Sequence, residues 1–351
     1  MRPSSADIRQ RDAAVFADYQ RLLPEHSNST ATIAVVALLH GLAEASIRRI
    51  IDAQKRVGRA EAAVVAPFTV LPKREKATTD HERWRDTLAT LRTRKQFITV
   101  AHLSDIHFGD HNENALNMAY RLMAHRQPDV IVVGSDTADF SVISSFKPSP
   151  DNDEQIDDEL DELRRYWIPH IDTLRSVAPK AALVYILGNH EQRIYDHMAD
   201  SAPKLRKTVE RAWVEMVSYQ GRVMWLGRTE EVEVGNLLVK HGDKANEHVA
   251  KALLEAESYQ VSVMAGHVHR LNTYYRMGRK YAVSGVTGGC LCNLLPHYAK
   301  RQPSRRWQWG TALATVDLTS TDVWFDNIEF RQTASGITAV TSAGDVLKQA
   351  A

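Results

Sequence analysis

AALVYILGNHE, residues 181–191, is a seven-residue apolar run that ends abruptly in Gly188-Asn189-His190-Glu191. The run is short, rich in aliphatic and aromatic side chains and free of charge, so it reads as a buried β-strand; the four residues after it have no packing role to explain them. The same arrangement recurs four times along the chain. Phe97 to Leu103 leads into Asp105-Ile106-His107, and Val130 to Val133 into Asp136-Thr137-Ala138-Asp139. Leu237 to Val239 leads into His241-Gly242-Asp243, and Val261 to Ala265 into Gly266-His267-Val268-His269. In an open α/β sheet, side chains at the carboxyl ends of the strands converge on one crevice, so blocks far apart in sequence are expected to meet. Carboxylate, imidazole and amide oxygen are the donors that hold borderline divalent cations, and no thiolate is needed.

These blocks, in this order, resemble the calcineurin-like metallophosphoesterase superfamily, whose pattern is D-x-H, GD-x-x-D/N, GNH-D/E, H and GH-x-H. The resemblance spans roughly Phe97 to Phe330 and implies an α/β fold, a four-layer α/β/β/α sandwich with two sheets packed between helices. It also implies two divalent cations. Carried over by position, Asp105, His107 and His269 would hold one, Asn189, His241 and His267 the other, and Asp136 would bridge them. His190 would stand beside the cations without ligating either, and Asp139 would orient it. The second block departs from the pattern, reading Gly134-Ser135-Asp136 where the family has glycine directly before aspartate.

The chemistry implied is phosphoester hydrolysis by a metal-activated hydroxide, with His190 protonating the departing alkoxide; a placed imidazole acid contributes ~10²–10⁴-fold. Manganese is the expected metal, with iron, zinc or nickel also suited to oxygen and nitrogen donors. GHxH is shared by phosphodiesterase, nuclease and nucleotidase branches, which favours phosphodiester hydrolysis of nucleic acid or nucleotides. GNHE followed by Arg193, a candidate phosphate ligand, and the DxxD spacing point instead to a phosphomonoesterase acting on phosphoprotein or nucleotide. A third reading is a DNA-binding regulator with a non-catalytic metal site, which would have no need of the non-ligating His190.

The first hundred residues bear on this choice. Residues 32–53, TIAVVALLHGLAEASIRRIIDA, place Ala37, Gly41, Ile47 and Ile50 where a helix-turn-helix needs a small residue, a turn glycine and two core aliphatics. The second helix would present Ser46, Arg48 and Arg49 to the major groove. Between Ala45 and Gln96 thirteen Lys or Arg stand against six Asp or Glu, a local excess of 7 in a chain whose net charge is +1, and such segments attract phosphate backbones. A solvated helical hairpin explains the same pattern. With DNA as partner, the domain pairing suits a phage or mobile-element enzyme. The expected organisation is a helical unit over 1–60, a basic linker and docking helix over 61–96, the catalytic domain over 97–332 and a flexible tail over 333–351.

Elsewhere, Asp151 to Glu162 holds eight acidic residues and no basic one, leading into Leu163, Trp167 and Ile171 at helical spacing, and reads as the solvated start of an amphipathic helix. Arg270, Arg276, Arg279 and Lys280 surround a hairpin-like segment, and Lys300, Arg301, Arg305 and Arg306 precede Trp307 and Trp309, which are either base-stacking or core residues. The chain is 44% hydrophobic and 25% charged, with no apolar stretch of bilayer length and no signal-peptide pattern, so a cytoplasmic enzyme that does not engage membranes is expected. Cys290 and Cys292, one residue apart, suit reduced thiols.

Overall fold

A computed structural model describes residues 5–22, selected positions between 33 and 51, and 79–134, 136–143, 156–227, 231–245, 247–278, 282–295 and 306–350. The chain divides into two compact units, Met1–Ala77 and Thr78–Ala351.

The larger unit is built on two sheets. The strands β1 (Phe97–Leu103), β2 (Val130–Gly134), β3 (Ala182–Ile186) and β4 (Met224–Trp225) are parallel neighbours in an eight-stranded sheet. Beyond β1 that sheet continues antiparallel through β10 (Gly310–Asp317), β11 (Val323–Thr333), β12 (Gly336–Val340) and β13 (Val346–Ala350). The second sheet has five strands in the order β5 (Glu231–Val234), β6 (Leu237–Lys240), β7 (Ser262–Ala265), β9 (Ala282–Gly288), β8 (Leu271–Met277). All five apolar runs that precede the polar blocks are strands, at bounds within a residue of those read from the sequence.

The two-residue period of each strand sorts its side chains between layers. Ile98, Val100, Val130, Val132, Val184 and Ile186 of the first sheet meet Val232, Val234, Leu237, Val239, Met264 and Val286 of the second in one core. The alternate residues Leu103, Ile131, Val133, Leu183 and Tyr185 pack outward under helices. Those helices include α3 (Glu113–Arg126), α4 (Ile156–Val177), α5 (Asn189–Ser201) and α6 (Arg206–Ser218), which contribute Leu122, Trp167, Ile194 and Trp213. Helix α7 (Val249–Ala256) covers the far side of the second sheet with Val249, Leu253 and Leu254 on Leu238 and Val263. Four layers, α/β/β/α, result, as the resemblance implied.

Helix α2 (Asp80–Arg94) starts at a capping box formed by Thr79 and Glu82, and Trp84 enters the core between the sheets with Leu88 and Leu91 beside it. The expected docking helix is thus part of the catalytic unit rather than of a linker. The expected flexible tail is a correction. Residues 336–350 form the last two strands of the eight-stranded sheet, with Ile337 and Ala339 buried, and Arg121 and His125 of α3 bonding Gln349 at 2.6 Å and Asp345 at 3.0 Å. Small, polar composition hid a two-residue alternation that exposes Val340 and Val346. The acidic start of α4 is also less solvated than expected, since Glu159 turns inward to accept from Ser141 N and Oγ at 2.8 and 2.9 Å.

In the first unit, helix α1 (Ser5–Leu22) supplies Val15 and Tyr19 to a small core with Ile33, Val36, Ala37, Ile47, Ile50 and Ile51. Ala37 and the aliphatics therefore pack as read. Ser46 is half-buried, and Arg48 is exposed within 3.9 Å of Glu44. Gly41 and Arg49 lie outside the described residues. Among the described residues no helix is long and apolar enough to cross a membrane.

Candidate metal centre

The strand-end blocks meet. Asp105, His107, Asp136, Asn189, His241, His267 and His269 form one cluster at the carboxyl ends of β1, β2, β3, β6 and β7, with Asp105 and His241 fully buried. Asp105 Oδ1 lies 3.2 Å from His269 Nε2, and both its oxygens accept from His267 N at 3.0 Å. Asp136 Oδ1 accepts from His190 N at 3.0 Å, while its Oδ2 stands 3.4 Å from His241 Nε2 and 3.7 Å from His190 Nε2. His241 Nε2 is 2.6 Å from Asn189 Oδ1 and 3.1 Å from His267 Nδ1.

Backbone shape makes this convergence possible. Asp105, His107, Asp136, His267 and His269 all have φ between 50° and 73°, the left-handed region. Two glycines clear space for carboxylates from other blocks: a Cβ on Gly188 would overlap Asp136 Oδ1, and one on Gly266 would overlap Asp105 Oδ2. Gly188 also caps α5, so Asn189, His190 and Glu191 form its first turn and point three ways. Asn189 faces His241, His190 faces Asp139, and Glu191 turns back under the 136–138 loop.

The electrostatics are those of a site arranged for positive charge. Burial alone would raise Asp105 and Asp136, but the surrounding histidines hold both carboxyls below their usual range. Burial depresses His107 and His269 too, yet a hydrogen bond to Asp139 lifts the first, and Asp105 the second, to about 9. Burial and the neighbouring His241 hold His267 down.

Several lone-pair atoms face one another without a proton for each. His107 Nε2 is buried with no hydrogen-bond partner among the described residues, and Asn189 Oδ1, His241 Nε2 and His267 Nδ1 crowd together. Divalent cations fit that donor set, which is all oxygen and imidazole nitrogen.

His190 stands beside the cluster. Its Nδ1 lies 2.7 Å from Asp139 Oδ1, and Arg193 reaches both Asp139 O, at 2.7 Å, and His190 Nε2, at 3.3 Å. Burial lowers the pKa of His190, but Asp136 and Asp139 outweigh it and raise the group. Asp139 Oδ1 is also 3.1 Å from His107 Nδ1, so one carboxylate oxygen holds two imidazoles.

Sequence reading missed three contributors. Glu191 is buried and its carboxylate accepts from Gly188 N at 2.9 Å, Asp136 N at 3.1 Å, Thr137 N at 2.5 Å and Thr137 Oγ1 at 2.7 Å. The buried thiol of Cys292 lies 3.6 Å from His269 Nδ1. Trp307 rests on the His269 ring with centroids 4.1 Å apart. Only Glu191 had a sequence signal, a carboxylate three residues after a capping glycine. Trp309 instead donates from its indole to Cys292 O at 2.8 Å, and the exposed Arg276 lies over the Tyr259 ring. Arg279, Lys280, Lys300, Arg301 and Arg305 lie outside the described residues.

Comparison with known proteins matches residues 98–271 to the family model described as calcineurin-like phosphoesterase. Among solved structures, vacuolar protein sorting 29 from Cryptosporidium parvum aligns over 73% of this chain and 100% of its own, with 9% identity and a TM-score of 0.37. Vps29 from Chaetomium thermophilum aligns over 72% of this chain and 95% of its own, with 11% identity and a TM-score of 0.35. No curated protein matches the sequence.

Proposed function

We propose that the chain, whose residues 98–271 match the calcineurin-like phosphoesterase model, is a metal-dependent phosphoesterase that hydrolyses phosphodiesters of nucleic acid or nucleotides. When bound, two divalent cations, manganese in our reading, supply the charge that binds phosphate oxygens and activates the attacking water. Asp105, His107, Asp136, Asn189, His241, His267 and His269 hold them. His190 is the general acid. Asp139, at 2.7 Å from Nδ1, fixes the ring so that Nε2 carries the proton to the leaving oxygen. The Arg193 guanidinium, tethered to Asp139 O, offers its remaining N–H groups to a non-bridging phosphate oxygen. The observation that carries the reading is this pairing of a non-ligating imidazole with a carboxylate at the rim of the seven-residue cluster, since a structural metal site needs no proton donor.

The amino-terminal unit is the proposed means of delivery to DNA, with Ser46, Arg48 and Arg49 as its contacts; the basic excess of the segment supports it. The position of Arg193 beside His190 favours a second reading, hydrolysis of phosphomonoesters on protein or nucleotide.

The test is hydrolysis by manganese-loaded protein of bis-p-nitrophenyl phosphate, p-nitrophenyl phosphate, and single- and double-stranded DNA, beside Asp136→Ala and His190→Asn. Cleavage of diester and DNA that both variants lose is the expected result, with His190→Asn still binding its cations. Turnover of the monoester alone transfers the site to the second reading. DNA binding with no turnover under any metal leaves a regulator.

A further inference from the structure

The sulfur beside His269 has no place in the chemistry above. A histidine that ligates through one nitrogen is normally oriented through the other, by a carboxylate, a backbone carbonyl or water. His107 follows that rule, with Nδ1 on Asp139 at 3.1 Å and Nε2 turned to the cluster. His269 directs Nε2 at Asp105, 3.2 Å away, and its Nδ1 meets the Cys292 sulfur at 3.6 Å.

That sulfur is held firmly. Leu291 N donates to Asp105 O at 3.0 Å, Asn112 N to Leu291 O at 2.8 Å, Trp309 Nε1 to Cys292 O at 2.8 Å, and Cys290 N to Gln308 O at 3.0 Å. Gln308 N in turn donates to His269 O at 2.8 Å, so the cysteine strand and the histidine backbone are bonded to one frame. Cys292 is 2% exposed, and water does not compete for the ring nitrogen.

We infer that Cys292 is a positioning residue: its sulfur accepts the Nδ1–H of His269, which fixes the tautomer and turns the Nε2 lone pair toward Asp105 and the cation that the two residues share. The inference rests on the metal-centre reading. It makes the sulfur a partner of the ligand and not itself a ligand.

Cation binding is titrated calorimetrically on metal-free protein with manganese and with cobalt, for the wild type, Cys292→Ala, Cys292→Ser and Cys290→Ala, and the absorption spectrum of each cobalt form is recorded. Cys292→Ala is expected to weaken one of the two cations about 10–100-fold, the range for lost partners of ligating histidines. Cys292→Ser, which restores an acceptor, should recover most of that loss. Cys290→Ala, which removes the thiol bonded to Cys292 but leaves the Cys292 sulfur on the ring, should lose markedly less affinity than Cys292→Ala. The cobalt spectrum should lack a sulfur-to-metal charge-transfer band. Wild-type affinity for both cations in Cys292→Ala, equal losses in Cys290→Ala, no recovery in Cys292→Ser, or a charge-transfer band in the wild type would each overturn the assignment. If the wild type binds no cation, the metal-centre reading itself falls.

Discussion

Replacing Glu191 by alanine tests the largest structural debt of the site. Its carboxylate, 1% exposed, accepts from four backbone N–H groups, those of Gly188, Asp136, Thr137 and Ala138, and from the Thr137 hydroxyl. The hydroxyl has a second partner in Tyr185 OH at 3.3 Å, but the N–H groups have nowhere else to turn. A buried donor left unsatisfied costs about 1–3 kcal/mol, so four predict a loss of about 4–12 kcal/mol in Glu191→Ala. At about 2–4 °C per kcal/mol for a domain of this size, Tm should fall by at least about 8 °C. Glu191→Gln is the informative companion. Its amide nitrogen must face one set of donors, Asp136 N with Gly188 N or Thr137 N and Ala138 N with the Thr137 hydroxyl, so about half the loss should persist in a side chain of the same shape. Urea unfolding of metal-free protein measures both, because bound cations would add stability of their own. A Glu191→Ala variant within about 1 kcal/mol of the wild type would refute the argument that this carboxylate holds the loop carrying Asp136.

Gly188→Ala should lower Tm and bind cations at least about tenfold more weakly, since the new Cβ meets the Asp136 backbone N as well as its carboxylate; thermal unfolding and calorimetric titration read the two effects. Deleting residues 334–351 should yield insoluble or molten protein by gel filtration and near-ultraviolet dichroism, because it strips β12 and β13 from the sheet and uncovers α3. His170 gives a pH prediction. Burial pushes it down to about 3, where Tyr120 OH sits 2.8 Å from Nδ1. Between about pH 6.5 and 3 the unfolded chain therefore binds a proton that the folded chain refuses, so stability is complete above that window and falls as pH drops through it, by up to about 1.4 kcal/mol per unit. His170→Gln should show a shallower acid limb in urea midpoints, and an unchanged limb would remove His170 from the account.

Much of this was legible because two periods do the sorting. The strands announce themselves by uncharged runs, and the reactive residues by standing immediately after them, so Asp105 or His267 is conspicuous in a way that a surface residue of the same type is not. Where the signal failed, the reason was physical. Ile337 and Ala339 are too few and too small to mark β12 by hydropathy, and only pairing with β11 reveals them. Cys292 looked inert because its role depends on a ring 23 positions earlier. The Asp139 oxygen was read as a partner of His190 alone, since no spacing rule says that His107 shares it.

The residue types at the centre satisfy two demands at once. Aspartate and histidine donate to cations, and they are also among the side chains that best tolerate the left-handed backbone. Five of the seven candidate ligands adopt it, including both members of the Asp105–His107 and His267–His269 pairs. A regular strand would send residues i and i+2 to one face at fixed spacing; a left-handed residue breaks the strand and folds its side chain back over the sheet end. Each such residue costs about 1–2 kcal/mol, so the five together cost about as much as the whole net stability of an ordinary domain. The hydrogen bonds from His107 N to Asp136 O, Phe108 N to Thr137 O and Gly266 N to His241 O tie these turns to one another and offset part of that cost. The remainder is backbone strain held at the sheet ends, where the candidate ligands stand.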